Sequence, residues 1–356
     1  MNKTFKASKK EKIKNFDPSG MGDLSQGIYG LPFSMDEARV AIVPYPWEVT
    51  VSSGGGTSKG PEAVLHASYQ VDLFDPAVKD AWKIGIAMED ISPLIAKKSK
   101  ELRLHADAYI KKLSKGEDLN SPKMKKSRDL INNESKKFKE VVKKISLGHL
   151  NEGRTVAHLG GDHSTPLGLM EALAEKFGNF GILQIDAHCD LREAYEGFEY
   201  SHASIMYNAL KIKEVKKLVQ VGVRDLCEEE FNLIKNSRER IETFYDRDMK
   251  HAEYAGKNWK EISKQIVSKL PKLVYLSFDI DGLDPKYCSS TGTPVPGGLE
   301  FEQALYLIET VVASGRKIIS FDLNEVGPED WDANVAARLL YRISNLSAKS
   351  NNLIDV

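Results

Sequence analysis

Short apolar runs recur along the chain from residue 38 to residue 326, with segments of helical periodicity between them. The runs are rich in Val, Ile and Leu and are nearly continuous, which is typical of parallel strands covered on both faces. They occupy residues 38–46, 83–88, 155–161, 180–186, 218–224, 273–281 and 317–326. Apolar residues at helical spacing occupy residues 165–177, 258–270 and 299–314. Strands that alternate with helices predict an α/β fold with a doubly wound, mostly parallel sheet.

Two segments do not follow this alternation of strands and helices. Residues 1–36 are polar and contain an early turn at residues 17–20, so we expect an N-terminal arm before a domain over residues 37–356. Residues 97–144, within that domain, are rich in Lys. Asp and Glu are interspersed among the lysines, and apolar residues recur at helical spacing, so this segment predicts two solvated amphipathic helices rather than a nucleic-acid patch.

Composition and charge exclude several classes of protein. The chain has 356 residues, is 41% hydrophobic and 28% charged, and carries a formal net charge of −1. This balance gives no electrostatic case for nucleic acid or a membrane as partner. No apolar run approaches the roughly 20 residues of a membrane span, and the basic N-terminus lacks an apolar signal core. The three cysteines are too few and too widely spaced for a disulfide framework, so we expect a cytoplasmic protein.

The run at residues 181–192, GILQIDAHCDLR, ends in three ionisable residues at alternate positions. In a strand, Asp186, His188 and Asp190 would point to the same face. Two carboxylates and an imidazole that lie close together require compensation, which a divalent cation provides. For this motif alone, a hydrogen-bonded polar strand end is an equally good interpretation.

Other predicted strands end in the same way. The carboxyl ends of parallel strands meet at one edge of a sheet, where sites in α/β folds form. We therefore expect two histidines, four aspartates and one glutamate at this edge: His163, His188, Asp186, Asp190, Asp279, Asp281 and Glu325. So many carboxylates cost several kcal/mol each to bury without a cation. The number of ligands favours two metal ions, a hydroxide held between them, and hydrolysis.

Four of these segments resemble the signatures of the arginase/agmatinase ureohydrolases. They are GGDHS (160–164), DAHCD (186–190), SFDIDGLDP (277–285) and TGTPVPGGL (291–299), and the resemblance extends over residues 38–345. It implies one α/β/α domain of three layers. It also implies a centre of two Mn²⁺ ions, with another divalent metal such as Ni²⁺ as an alternative, and hydrolysis of a guanidino group to urea and an amine.

The resemblance also implies a role for each site residue. One metal takes His163 and Asp190, the other takes His188 and Asp281, and Asp186 and Asp279 bridge the two. A bridging hydroxide, oriented by Asp190, attacks the guanidinium carbon. Glu325 binds the guanidinium through charge-assisted hydrogen bonds. His202 shuttles protons, a role that suits a histidine near its ordinary pKa.

The segment after Asp190 bears on the substrate. Arginases have an Asn and a Ser-rich loop there, whereas this chain has Arg192 and Glu193 and resembles agmatinases. The acidic residues Glu193, Glu196 and Glu199 could attract the ammonium of agmatine, so we expect hydrolysis of agmatine to putrescine and urea. Arg192 could instead bind the carboxylate of guanidinobutyrate.

Other functions stay open at this point. Guanidine, arginine or formimidoylglutamate could be the substrate, and the fold could serve as a scaffold without catalysis. The expected partners are a small guanidino compound and further copies of the chain, since relatives are commonly trimers or hexamers.

Overall fold

Eight parallel strands form the centre of the protein. The computed structural model describes residues 8–52 and 54–354, so residues 1–7 of the predicted arm lie outside it. The strands are β1 Val40–Pro44, β2 Ile86–Met88, β3 Thr155–Leu159, β4 Phe180–Ile185, β5 Val215–Val221, β6 Ile241–Phe244, β7 Leu273–Asp279 and β8 Lys317–Asn324. Over the described residues they form one sheet, in the order β2-β1-β3-β8-β7-β4-β5-β6. Every neighbouring pair is parallel, which confirms the predicted α/β fold.

Helices cover both faces of the sheet. Within the described residues they are α1 Lys9–Asn15, α2 Gly60–Ser68, α3 Pro93–Leu113, α4 Pro122–Asn151, α5 Leu167–Phe177, α6 Ile205–Ala209, α7 Glu228–Asn236, α8 Asp246–Tyr254, α9 Trp259–Ser268, α10 Phe301–Ala313 and α11 Asp330–Ser350. Helices α2, α9, α10 and α11 bury apolar residues in one core, and α3 to α6 do so in a second core. The fold therefore has the three α/β/α layers that were expected.

Strand β4 shows why the apolar runs are continuous. Ile182 packs into the core beneath α3 to α6, whereas Leu183 packs into the opposite core. Both faces of the strand are buried, so every position favours an apolar side chain. Strand β6 was not predicted because it is a short edge strand, and its residues Glu242 and Thr243 are only partly buried.

The Lys-rich segment forms two long helices, as predicted. Helices α3 and α4 both follow a Ser N-cap, Ser92 and Ser121, and both begin with Pro, which is well suited to the first helical turn. One face of the pair is buried and includes Tyr109 and Phe138. This helical hairpin is therefore part of the second core, and only its outer face is solvated.

Part of the predicted N-terminal arm is packed into the protein. Ile28, Tyr29 and Leu31 are at most 2% exposed. The Tyr29 hydroxyl donates a hydrogen bond to the carbonyl of Ala337 in α11, at 3.0 Å. The domain boundary at residue 36 stays a prediction, and the structure places residues 28–31 in the core. None of the helices within residues 8–52 and 54–354 is long and apolar enough to cross a membrane.

Candidate metal centre and active site

The acidic residues and histidines meet at the carboxyl edge of four adjacent strands, β3, β8, β7 and β4. A cavity of about 390 Å³ opens over this edge. Among the predicted site residues, it is lined by His163, His188, Asp190, Arg192, His202, Asp279 and Glu325. Asp186 and Asp281 are 1% exposed, and both carboxylates lie close to the imidazole of His188. The sheet therefore brings together the ligands that the sequence predicted.

The backbone achieves this through turns, so the prediction of a shared strand face was wrong in detail. Strand β4 ends at Ile185, and Asp186 accepts the His188 N–H at 2.7 Å in the loop that follows. Asp190 has a left-handed φ of 54°, which is uncommon for a residue other than Gly. Strand β7 ends at Asp279, whose carboxylate accepts the Asp281 N–H at 2.9 Å.

One group of donor atoms surrounds the Nδ1 atom of His163. This atom lies 3.0 Å from Asp190 Oδ2, 3.1 Å from Asp186 Oδ2 and 3.2 Å from Asp279 Oδ2. It is buried and has no hydrogen-bond partner among the described residues. A buried nitrogen facing three carboxylate oxygens is a donor set that suits a divalent cation.

A second group surrounds His188. Its Nδ1 atom lies 3.1 Å from Asp281 Oδ2 and 3.6 Å from Asp186 Oδ1. Asp186 thus directs one oxygen toward each histidine, as a bridging carboxylate would. Asp279 Oδ2 faces His163, and the other oxygen of Asp279 accepts the backbone N–H of Asp281; no ion pair joins Asp279 to His188 among the described residues. These residues fit a pair of cations, with Asp186 as the clearer bridge.

The electrostatics of the cluster favour bound cations. Burial and the neighbouring Asp186 raise the pKa of Asp190 to about 7. Burial and the carboxylates of Asp281 and Asp186 likewise raise the pKa of Asp279 well above its ordinary value. Burial by itself would lower the pKa of His188, but Asp281 and Asp186 raise it to about 12. The site holds more buried carboxyl groups than imidazoles to neutralise them, which is the condition that a metal pair relieves.

A hydrogen-bonded chain behind His163 fixes its ring, and the sequence analysis missed it. The Nε2 atom of His163 lies 2.9 Å from Ser277 Oγ, which donates to Asp322 Oδ1 at 3.1 Å. The hydroxyl of Tyr275 donates to the other oxygen of Asp322. Such partners set the orientation of a ligating imidazole. The available signal was a polar residue within an apolar run, Ser277 in β7 and Asp322 in β8.

A second buried chain holds Asp186. The amide of Gln184 donates to Asp186 Oδ2 at 2.8 Å, and Gln220 donates to Gln184 Oε1 at 2.7 Å. Both glutamines are 0% exposed and lie on adjacent strands, β4 and β5. Neither was singled out from the sequence, although each interrupts an apolar run.

Glu325 lies at the cavity wall with one oxygen unpaired. Its backbone φ is 60°, and its Oε1 atom accepts the His163 N–H at 2.8 Å. The Oε2 atom is buried and has no partner among the described residues. Burial and the nearby Asp162 carboxylate raise the pKa of Glu325 well above its ordinary value. A cationic ligand would favour ionisation of Glu325 and occupy the unpaired oxygen.

His202 also lines the cavity. Its backbone N–H donates to Thr50 Oγ1 at 3.3 Å, and its ring meets the Tyr195 ring edge-on at 6.1 Å. Burial and the charge of His188 lower the pKa of His202 to about 4, whereas the sequence analysis expected an ordinary value. The imidazole is therefore neutral at pH 7 and is a weaker base than an ordinary histidine.

The structure separates Arg192 from Glu193. Arg192 lines the cavity, with its guanidinium over the Tyr195 ring at 5.0 Å and its Nε atom 3.7 Å from Glu230. Glu193 is exposed and lines a neighbouring cavity of about 350 Å³ instead. The buried Glu230, which the sequence analysis missed, lines both cavities and accepts the Leu191 N–H at 3.0 Å.

Comparison with known proteins identifies the family of this chain. The Arginase family model matches residues 38–345 of the chain. The N(1)-aminopropylagmatine ureohydrolase of Thermus thermophilus is 31% identical over 313 residues, which cover 87% of this chain and 91% of the relative. The agmatinase of Bacillus anthracis is 27% identical over 299 residues, which cover 83% and 86%. The crystal structure of agmatine ureohydrolase of Thermoplasma volcanium has a TM-score of 0.68 at 21% identity, covering 91% of this chain and 94% of that chain.

The chain therefore belongs to the arginase family. It is a ureohydrolase of that family, a hydrolase that acts on the C–N bonds of guanidino groups.

Proposed function

We propose that the protein hydrolyses agmatine, with one water molecule, to putrescine and urea. The observation that carries the proposal is the unpaired, buried Oε2 atom of Glu325 at the wall of the cavity that holds the His163 and His188 groups. An acidic oxygen at this position can bind a guanidinium and leave the guanidinium carbon facing the His163 and His188 groups. Relatives named agmatinase support the same substrate class.

The metal ligands in this proposal are His163, Asp190, His188 and Asp281, with Asp186 and Asp279 between the two groups. The proposed ions are Mn²⁺. Bound divalent cations lower the pKa of water so that hydroxide is available near neutral pH. Asp190 lines the cavity, and its carboxylate can orient the attacking water by a hydrogen bond.

Glu325 and His202 are the residues to which we assign guanidinium binding and proton transfer. Glu325 binds the guanidinium through a charge-assisted hydrogen bond and holds the planar carbon in place. His202 lines the cavity, and in this proposal it transfers a proton from the attacking water to the departing amine.

The far end of agmatine carries an ammonium, and the cavity wall offers an acidic group for it. Asp225 lines the cavity and is exposed, whereas the Glu230 carboxylate accepts the backbone N–H groups of Leu191 and Cys227. The Arg192 guanidinium lies beside Glu230 and stacks on the Tyr195 ring, so its positive charge faces the cavity wall. This arrangement favours an amine over a carboxylate at the far end of the substrate.

A longer substrate, N(1)-aminopropylagmatine, is the second candidate. Two observations favour it: the name of the Thermus relative, and the neighbouring cavity that shares Arg192, Tyr195 and Glu230 with the first. Glu193, Glu196 and Glu229 make that neighbouring cavity acidic, as an additional ammonium requires.

A screen for urea release tests both candidates. The purified protein, loaded with Mn²⁺, is offered agmatine, N(1)-aminopropylagmatine, arginine, guanidinobutyrate and guanidine. We expect the highest kcat/KM for agmatine, and a higher value for aminopropylagmatine selects the second candidate. Arginine turned over as well as either amine would overturn the substrate proposal. A cytoplasmic location and a trimeric or hexameric assembly stay predictions, which fractionation and light scattering can test.

A further inference from the structure

We propose that the hairpin of α3 and α4 positions the substrate loop, defined as residues 191–199, and that Asn132 is the central positioning residue. The inference rests on the proposed function, because Arg192 and Tyr195 of this loop line the cavity in which the guanidino compound would bind. The hairpin is the Lys-rich segment whose exposed face has no role in the chemistry described above.

Asn132 in α4 binds the loop backbone at two points. Its Nδ2 atom donates to the Gly197 carbonyl at 3.2 Å, and its Oδ1 atom accepts the Glu199 N–H at 3.0 Å. One amide therefore pairs with a donor and an acceptor that are two residues apart. No other standard side chain of the same size offers both a donor and an acceptor in this geometry.

Tyr109 in α3 holds the same loop from a second direction. Its hydroxyl donates to the Glu196 carbonyl at 2.9 Å, and its ring packs against Phe198 at 5.0 Å between centroids. Gly197 has a φ of +86°, and a Cβ atom there would lie only 2.9 Å from the Tyr109 hydroxyl. The loop can approach the hairpin this closely only because residue 197 is Gly.

The conformation that these contacts hold is strained. Glu196 has a φ of 54°, a left-handed conformation that residues other than Gly adopt only when their surroundings hold it. Glu196 is followed by Gly197, whose φ is also positive. Without Asn132 and Tyr109, the loop would relax toward more common backbone conformations.

Tyr195 connects the substrate loop to the cavity wall. The Phe198 N–H donates to the Tyr195 carbonyl at 2.9 Å, which closes a tight turn. The Tyr195 ring then contacts both Arg192 and His202. A shift of the turn therefore moves the wall that faces the far end of the substrate.

Helix α3 supports His202 by a separate contact. The guanidinium of Arg103 donates to the carbonyls of Val49 and Val51. Thr50, between them, accepts the backbone N–H of His202. The hairpin thus supports the cavity wall at two places, the substrate loop and Thr50. A substitution of Asn132 leaves the contact through Thr50 intact.

The test compares Asn132→Leu with Asn133→Leu in the full-length, Mn²⁺-loaded protein. Asn133 is the neighbouring residue of the same type, and it is exposed. For Asn132→Leu we expect KM for agmatine to rise about tenfold while kcat stays within about twofold, since two hydrogen bonds of ordinary strength are lost. Asn132→Asp keeps the acceptor for Glu199 and should fall between the wild type and Asn132→Leu. Asn133→Leu should match the wild type.

Hydrogen exchange of the peptide that covers residues 191–199 provides a readout that needs no turnover. Exchange should accelerate at least about fivefold in Asn132→Leu and stay unchanged in Asn133→Leu. Unchanged exchange, or an equal loss in kcat and thermal stability in place of the KM effect, overturns the positioning role. A wild-type protein that releases no urea from any guanidino compound overturns the proposed function, and the exchange result then still decides whether the hairpin holds the loop.

Discussion

The metal centre and the substrate loop border one cavity but are built differently. Each proposed metal ligand lies on the last residue of a strand or at most five residues beyond it, as Asp190 follows Ile185. The substrate loop takes its position from side chains far away in the sequence, since Asn132 lies 65 residues from Gly197. The sheet itself therefore fixes the proposed metal centre, whereas packing against the α3–α4 hairpin fixes the loop. Substitutions in the first should remove activity, and substitutions in the second should change which substrate is used.

The largest effect should follow from removing the carboxylate that spans both metal groups. Asp186→Ala should release both ions and lower activity by more than about a hundredfold, the upper end of what losing an outer partner of a metal ligand costs. Asp281→Ala, which leaves the His163 group intact, should retain one ion. Metal analysis and urea release measure both effects, with the exposed Asp248→Ala as control. Full retention of two ions in Asp186→Ala would contradict the assigned bridge.

Glu325→Gln should separate substrate binding from metal binding. The variant keeps the shape of the side chain but loses its charge, so the guanidinium loses a charge-assisted partner. Such hydrogen bonds contribute roughly 1.5–3 kcal/mol, which corresponds to a fall in kcat/KM of about one to two decades. Metal content should stay at the wild-type level. Turnover close to wild type would remove Glu325 from the guanidinium site.

Acid should destabilise the sheet behind the centre through His158. This histidine is 0% exposed, stacks on Tyr45, and has its pKa lowered to about 3 by burial and by His163. The unfolded chain binds the proton near pH 6.5 and the folded protein does not. Stability should therefore fall as the pH drops from 6.5 toward 3, by up to about 1.4 kcal/mol per unit.

Denaturant unfolding at pH 7.5 and pH 5 measures this contribution. His158→Phe should lose less stability between the two values than the wild type, because it has no proton to take up at this position. The exposed His66→Asn is the matched control and should keep the wild-type slope. Identical slopes for all three proteins would show that His158 does not carry the effect.

The smallest effect concerns Glu193. Because its side chain is exposed and lies off the main cavity, Glu193→Lys should raise KM for agmatine by only about two- to threefold, and the change should shrink at high salt. For aminopropylagmatine the effect should be larger, because the neighbouring cavity would hold its second ammonium. Kinetics at two ionic strengths measure both. A loss of equal size for guanidinobutyrate would show that Glu193 acts through loop shape rather than charge.

Much of the fold and of the metal centre could be predicted because the signals are local. Continuous Val, Ile and Leu runs indicate doubly covered strands, and their carboxyl ends carry the proposed ligands His163, Asp186 and Asp279. Strand β6 escaped prediction because an edge strand buries little and carries polar residues. Gln184 and Asp322 were not predicted as part of the site, because the role of a single polar residue in a strand depends on its partner on the neighbouring strand.

The sequence by itself determined the α/β architecture and the meeting of the proposed ligands at one edge of the sheet, because strand direction alone brings carboxyl ends together. Tertiary structure decided which oxygen faces which histidine, since turns rather than strand pleating place Asp190 and Asp281. It also decided that Arg192 borders the cavity while Glu193 faces its neighbour, and that a Lys-rich hairpin holds the substrate loop. Those outcomes depend on contacts such as that of Asn132 with Gly197, which join residues far apart in the sequence and leave no periodic pattern within it.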